Sequence, residues 1–129
     1  MKKLILSFLM VFTICGCEKE QSIKYSSSLI GEWSWFIFCG GVAGCSTPQS
    51  TNTSMRLIFA LDSNYYRYRN DTLVSSSRFY VHKIVSTDNR DTTDIIKMGS
   101  LVEKYFIHYD TLELSAISYN AGSAWKRIK

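Results

Sequence analysis

The chain has 129 residues with a single proline, 15 Lys and Arg against 11 Asp and Glu, and a formal net charge of +4. That length excludes more than one ordinary domain and limits the core to a modest size. Two of the four net charges come from Lys2 and Lys3, and Arg67 and Arg69, interleaved on one strand face, are too few for a basic groove. No nucleic-acid partner is expected.

Chain order begins with that basic pair. An uncharged run, residues 4–14, follows it and ends in Ile14-Cys15-Gly16-Cys17. The run suits a secretory h-region and is too short to span a bilayer, which needs about 20 apolar residues. An aliphatic residue three before a cysteine and a small one just before it resemble the bacterial lipobox. The resemblance implies cleavage after residue 16, acylation of Cys17 and attachment to a membrane through that lipid. Two or more acyl chains hold a protein stably where one does not. The expected address is therefore the bacterial cell envelope, with the outer membrane favoured and both its periplasmic and surface-exposed faces open.

Residues 18–28 are polar, charged and serine-rich, with too little apolar surface to offset the entropy of ordering them. They read, with Cys17, as a tether over 17–28. The acidic Glu18-Lys19-Glu20 start also resembles surface-export signals of some Gram-negative lipoproteins, and a plain solvated linker fits equally.

From Leu29 on, aromatic and β-branched residues alternate with polar ones and turn signals recur at short intervals. Eight strands are predicted: 29–38, 55–61, 65–69, 78–85, 92–98, 102–109, 112–118 and 124–128. The polar breaks at 62–64, 70–71 and 110–111 return the chain as antiparallel neighbours. Residues two apart share a face. Gly31, Trp33 and Trp35 thus form one inward set, Met55, Leu57, Phe59 and Leu61 a second, and Leu112, Leu114 and Ala116 a third. In 65–69 and 102–109 both faces are bulky, which leaves the inward side open. The fold class expected over 29–129 is all-β, an eight-stranded antiparallel up-and-down barrel, with a sandwich as the competing arrangement. Closure removes exposed edges, and an eight-strand barrel is either filled by side chains or holds one small ligand.

Cys39 and Cys45 remain once Cys15 is discarded and Cys17 acylated. In an oxidising compartment the pair reads as a disulfide, contributing about 2 kcal/mol in the chain-entropy model. A metal site with His82 and His108 is the sharper alternative, disfavoured because the cysteine spacing exceeds the usual range. Neither metal nor cofactor is expected.

Gly31-Glu32-Trp33 is similar to the G-x-W signature of lipocalins, in which the Trp closes one barrel end beneath a basic residue of the last strand. Arg127 stands in that place here. Small lipocalin-like lipoproteins of Gram-negative bacteria resemble the chain over nearly all of its mature length. Their glycine-rich loop ending in Thr-Pro corresponds to residues 40–48, and their tyrosine-rich strand to Tyr65-Tyr66-Arg67-Tyr68. This sequence departs from them by flanking the loop with cysteines and by lacking a glycine at 62–64. The family is largely without assigned function, so the resemblance implies a barrel and a closure by Gly31, Trp33 and Arg127, not an activity.

The connection 39–53 is the one clearly beyond hairpin length, either a flap over the barrel mouth or a packed loop that plugs it. His82 and His108 are the only imidazoles, and His108 shares a face with Asp110, yet no nucleophile accompanies them. The chain is expected not to be an enzyme. Asp71-Thr72, Asp91-Thr92 and Asp110-Thr111 resemble an O-glycosylation acceptor pattern and equally suit turn-to-strand junctions. The expected role is binding of a small apolar or amphipathic ligand by Trp35, Phe59 and the 39–53 loop. A filled barrel that serves as an interaction or accessory partner for another envelope protein is the alternative.

Overall fold

A computed structural model of the chain describes residues 29–85 and 91–129. The expected signal segment 1–16, the expected acylation site Cys17 and the expected tether 17–28 lie outside the described residues. Nine strands run in order: β1 (Gly31–Gly40), β2 (Cys45–Ser46), β3 (Met55–Phe59), β4 (Asn64–Arg69), β5 (Thr72–Val85), β6 (Thr92–Met98), β7 (Leu101–His108), β8 (Thr111–Ala116) and β9 (Ala121–Arg127). One helical turn, α1 (Pro48–Thr51), follows β2. All pairings are antiparallel, and β1 pairs with both β3 and β9, which closes β1 and β3 to β9 into an eight-stranded barrel. The architecture is consistent with the expected lipocalin-like meander.

The added strand, β2, has a physical cause. β3 pairs only with residues 31–34 of β1, so the rest of that β1 edge would be left open. β2 pairs with its end, Phe38 opposite Ser46 and Cys39 opposite Cys45. Cys39 and Cys45 are joined as a disulfide.

β5 begins at Thr72, six residues ahead of the expected 78. The Ser75-Ser76-Ser77 run lacks strand propensity, but cross-strand fit overrides it. Ser75 and Ser77 lie opposite Arg67 and Tyr65, small residues beside large ones, and the Tyr65 hydroxyl is 2.8 Å from Ser75 Oγ. The preceding turn, Asn70 and Asp71, has both residues at positive φ, the mirror-image geometry that matches strand twist. The break expected at 110–111 falls one residue earlier, with Tyr109 at φ 54°. Leu61, expected to face inward, is instead 85% exposed, because β3 ends at Phe59 and the chain is already turning.

Successive connections alternate between the two barrel ends. One end, where Leu29 leads into β1, is filled. Leu57, Phe59, Phe79, Ile96, Met98 and Leu112 form the centre of a single core cluster, and the Phe79 ring meets Phe59 edge-on at 5.1 Å. The cluster's buried members all fall between Leu29 and Trp125, so the barrel carries its own core.

Arg127 caps this end, its guanidinium 4.2 Å from the centre of the Trp33 ring, while its Nη1 donates to the Ile30 carbonyl at 2.9 Å. Gly31, at φ 140°, lies under this closure. A Cβ there would come within 2.5 Å of the Lys129 carbonyl oxygen and 2.8 Å of Arg127 Nη1, so the first position of the G-x-W pattern has no room for a side chain.

Candidate binding cavity

The opposite end of the barrel is hollow. A cavity of about 420 Å³ opens there, walled by Trp35 from β1, Met55 from β3, Arg67 and Arg69 from β4, Glu103 from β7 and Trp125 from β9. Ligand cavities of this size are common, and mixed walls of large apolar groups with few polar ones are their usual make-up.

Strand alternation places these side chains. Tyr65, Arg67 and Arg69 point inward from β4, Glu103 and Tyr105 from β7, which resolves the two strands whose inner face the sequence left open. A bulge in β1, between Trp35 and Ile37, then shifts the alternation by one residue. Trp35 and Phe38 consequently both line the cavity, opposite Trp125 and Ser123.

The 39–53 loop supplies part of the wall through Ser46, Thr51 and Thr53. It is a built structure. The disulfide fixes its first hairpin, and Thr47 caps α1 through a reciprocal hydrogen-bond pair with Ser50, with Pro48 in the first turn. Asn52 ends the turn in the left-handed region.

Three buried polar atoms on cavity residues have no hydrogen-bond partner among the described residues: Trp35 Nε1, Arg67 Nε and Glu103 Oε2. By contrast, Trp125 Nε1 donates to Ser123 Oγ at 2.8 Å, and Trp33 Nε1 to the Leu29 carbonyl at 3.0 Å. Desolvation by burial pushes the Glu103 carboxyl above the ordinary glutamate range, against the opposing pull of Arg67. Across the ladder, Glu103 faces Ile96 on β6 and Ala116 on β8, neither of which offers a hydrogen bond.

The residues singled out from the sequence separate into these two halves. Trp35 lies on the cavity; Phe59 does not, being 1% exposed within the filled half against Phe79. Arg67, Arg69 and Glu103 are the charged residues of the site. In the sequence Arg67 stands out only as one of two interleaved basic residues, and nothing there marks Glu103. His82 and His108 are exposed residues on different strands, and His108 stacks on Phe106. Asp110 is hydrogen-bonded to Lys126, which holds its carboxyl below the usual range. The Asp-Thr pairs at 71–72, 91–92 and 110–111 all lie at strand starts. No family model, curated protein or solved structure matches the chain.

Proposed function

We propose that this chain is a lipid-anchored envelope protein, attached through Cys17, whose barrel binds one small amphipathic molecule in its hollow half. The observation that carries this reading is the cavity of about 420 Å³ at one end of the barrel, where Trp35, Met55 and Trp125 stand beside the charged Arg67, Arg69 and Glu103. The charged residues offer partners for a polar head. The walls supplied by Trp35, Trp125 and Met55 offer the apolar surface for its body.

Native mass spectrometry of residues 22–129, purified from the host and compared before and after denaturation, tests the proposal. A stoichiometric mass lost on denaturation supports it and identifies the ligand class. A bare protein that also takes up nothing from host lipid extract contradicts it. That outcome would favour a partner protein, for which the exposed Phe106 beside His108 and Tyr109 offers an aromatic surface.

A further inference from the structure

From the distribution of charge over the outside of the barrel, we infer that the outer wall of β5, β6 and β7 is a docking face for an anionic phospholipid surface. The inference rests on the membrane attachment proposed above and states which side of the barrel meets that membrane.

Phe79, Ile96 and Met98 belong to the core cluster, with Tyr105 and Ile107 packed against it, so the alternate residues of these three strands face outward. Asp94 and Glu103, the only carboxyl groups of the three strands, share the inward alternation. The outward positions hold Arg78, Lys97 and Lys104, all exposed. Among them stand Tyr80, Ile84, Val102 and Phe106, each at least 38% exposed. Ile95 is outward by the same alternation yet only 1% exposed, flanked in register by His82 and Lys104. It gives the wall an aliphatic floor, the kind of surface along which lysine stems lie while their ammonium heads reach out.

Elsewhere the cations of the described residues are accounted for. Arg56 is paired with Glu32 and Asp71, Lys83 with Asp94, and Lys126 with Asp110. Arg67 and Arg69 line the cavity, and Arg127 covers Trp33. Apart from Lys129, the cations left over are Arg78, Lys97 and Lys104, and all three fall on this wall without an ion pair among the described residues. Asp62, in the turn before β4, is held chiefly by Asn64, with Arg78 a weaker influence on it. Glu113 of β8, opposite Phe106, marks the border of the face.

Cations set among exposed aromatic and aliphatic side chains, with no carboxylate between them, complement a lipid interface. Phosphate headgroups take the charges, and the rings and aliphatic groups sit at the boundary with the acyl chains. Three cations are too few for a nucleic-acid groove. In the closed strand order β6 lies across the barrel from β1, and residues 17–28 lead into β1. Twelve residues span at most about 40 Å, well beyond the roughly 10 Å between facing sheets, so a lipid on Cys17 can reach the membrane past the barrel. Lying on this wall, the barrel directs its open end along the membrane rather than into it.

The experiment sediments the barrel domain, residues 22–129, whose core lies wholly within it, with vesicles of phosphatidylcholine alone or mixed with phosphatidylglycerol. Each cation at an anionic surface strengthens binding about fivefold. The expected result is binding to the mixed vesicles about tenfold or more tighter than to phosphatidylcholine, weakening as salt is added. Lys97→Gln with Lys104→Gln should lower it roughly twenty-fivefold, and Phe106→Ser about fivefold. Lys126→Gln with Lys129→Gln, the same change in net charge off this wall, should lower it roughly twofold or less.

Equal binding to both kinds of vesicle, or binding to neither, would overturn the inference without any variant having to fold. So would unchanged binding in the folded Lys97, Lys104 variant, or an equal loss in the Lys126, Lys129 variant. A domain that ignores the anionic vesicles yet binds polyglutamate would assign the wall to an acidic protein and overturn the inference as well. The mass of the intact chain, extracted from host membranes in detergent, reads the anchor separately. Acylated Cys17 without vesicle binding by the domain removes the docking face and leaves the attachment standing; an unmodified chain whose domain still binds anionic vesicles keeps the docking face and removes the anchor.

Discussion

Trp33 and Trp35 lie two residues apart on the same inner face of one strand, yet they belong to different halves of the barrel. Trp33 is fully buried, its indole N–H bonded to the Leu29 carbonyl and its ring covered by Arg127. Trp35 sits on the cavity, its indole N–H buried without a partner among the described residues. One half of the interior satisfies its polar groups within the chain and fills its volume with Leu, Ile and Phe. The other leaves polar groups and space together. Stability and binding are thus divided along the barrel axis.

That division sets how the halves should respond to truncation. Phe79→Ala, in the filled half, should cost about 3–5 kcal/mol in urea unfolding, whereas Met55→Ala, on the cavity wall and only partly buried, should cost about 1 kcal/mol or less. Equal losses would dissolve the distinction. Cys39→Ser with Cys45→Ser should cost about 2 kcal/mol; because the disulfide fixes the loop that walls the cavity, ligand affinity should fall in the same variant. Arg127→Met should cost about 0.5–2 kcal/mol through the lost cation–π contact and leave ligand affinity unchanged, since it acts at the filled end.

Glu103 sharpens the comparison through pH. Burial raises its carboxyl above the ordinary range, so the folded state holds its proton more tightly than the unfolded chain does. Stability from this source is fully present at low pH and is lost as pH rises from the ordinary glutamate value through the raised one. Glu103→Gln should therefore melt at a higher temperature than the unmodified protein at neutral pH, and at nearly the same temperature in acid. The smallest effect expected lies outside both halves: Ser63 occupies a left-handed turn position at φ 67°, and Ser63→Gly should stabilise by about 0.5–1 kcal/mol, the relief of φ strain less the added chain entropy.

Legibility in the sequence followed the same division. Alternation alone placed Trp33, Leu57, Phe59, Leu112 and Leu114 inside, and the polar pair at 70–71 marked its hairpin, because apolar periodicity and turn chemistry are local signals. The cavity was less readable. In β4 and β7 both faces carry large side chains, so the inward direction of Arg67 and Glu103 depends on cross-strand register. The serines of β5 read as a loop because their role, leaving room for Tyr65 and Arg67, belongs to the neighbouring strand. The bulge after Trp35 that turns Phe38 toward the cavity has no marker in the sequence. Phe59 resembled Trp35 as an inward aromatic, and only the filling of one half separates them.

The indole N–H signals in a proton–nitrogen NMR spectrum of the barrel domain test this account most directly, since the chain has three tryptophans and they divide between the two halves. On titration with the small amphipath decanoate, the account predicts that the Trp35 indole signal moves most, Trp125 follows and Trp33 stays in place. A Trp33 signal that moves while Trp35 does not, or three signals that remain fixed through titration with both decanoate and host lipid extract, would contradict it.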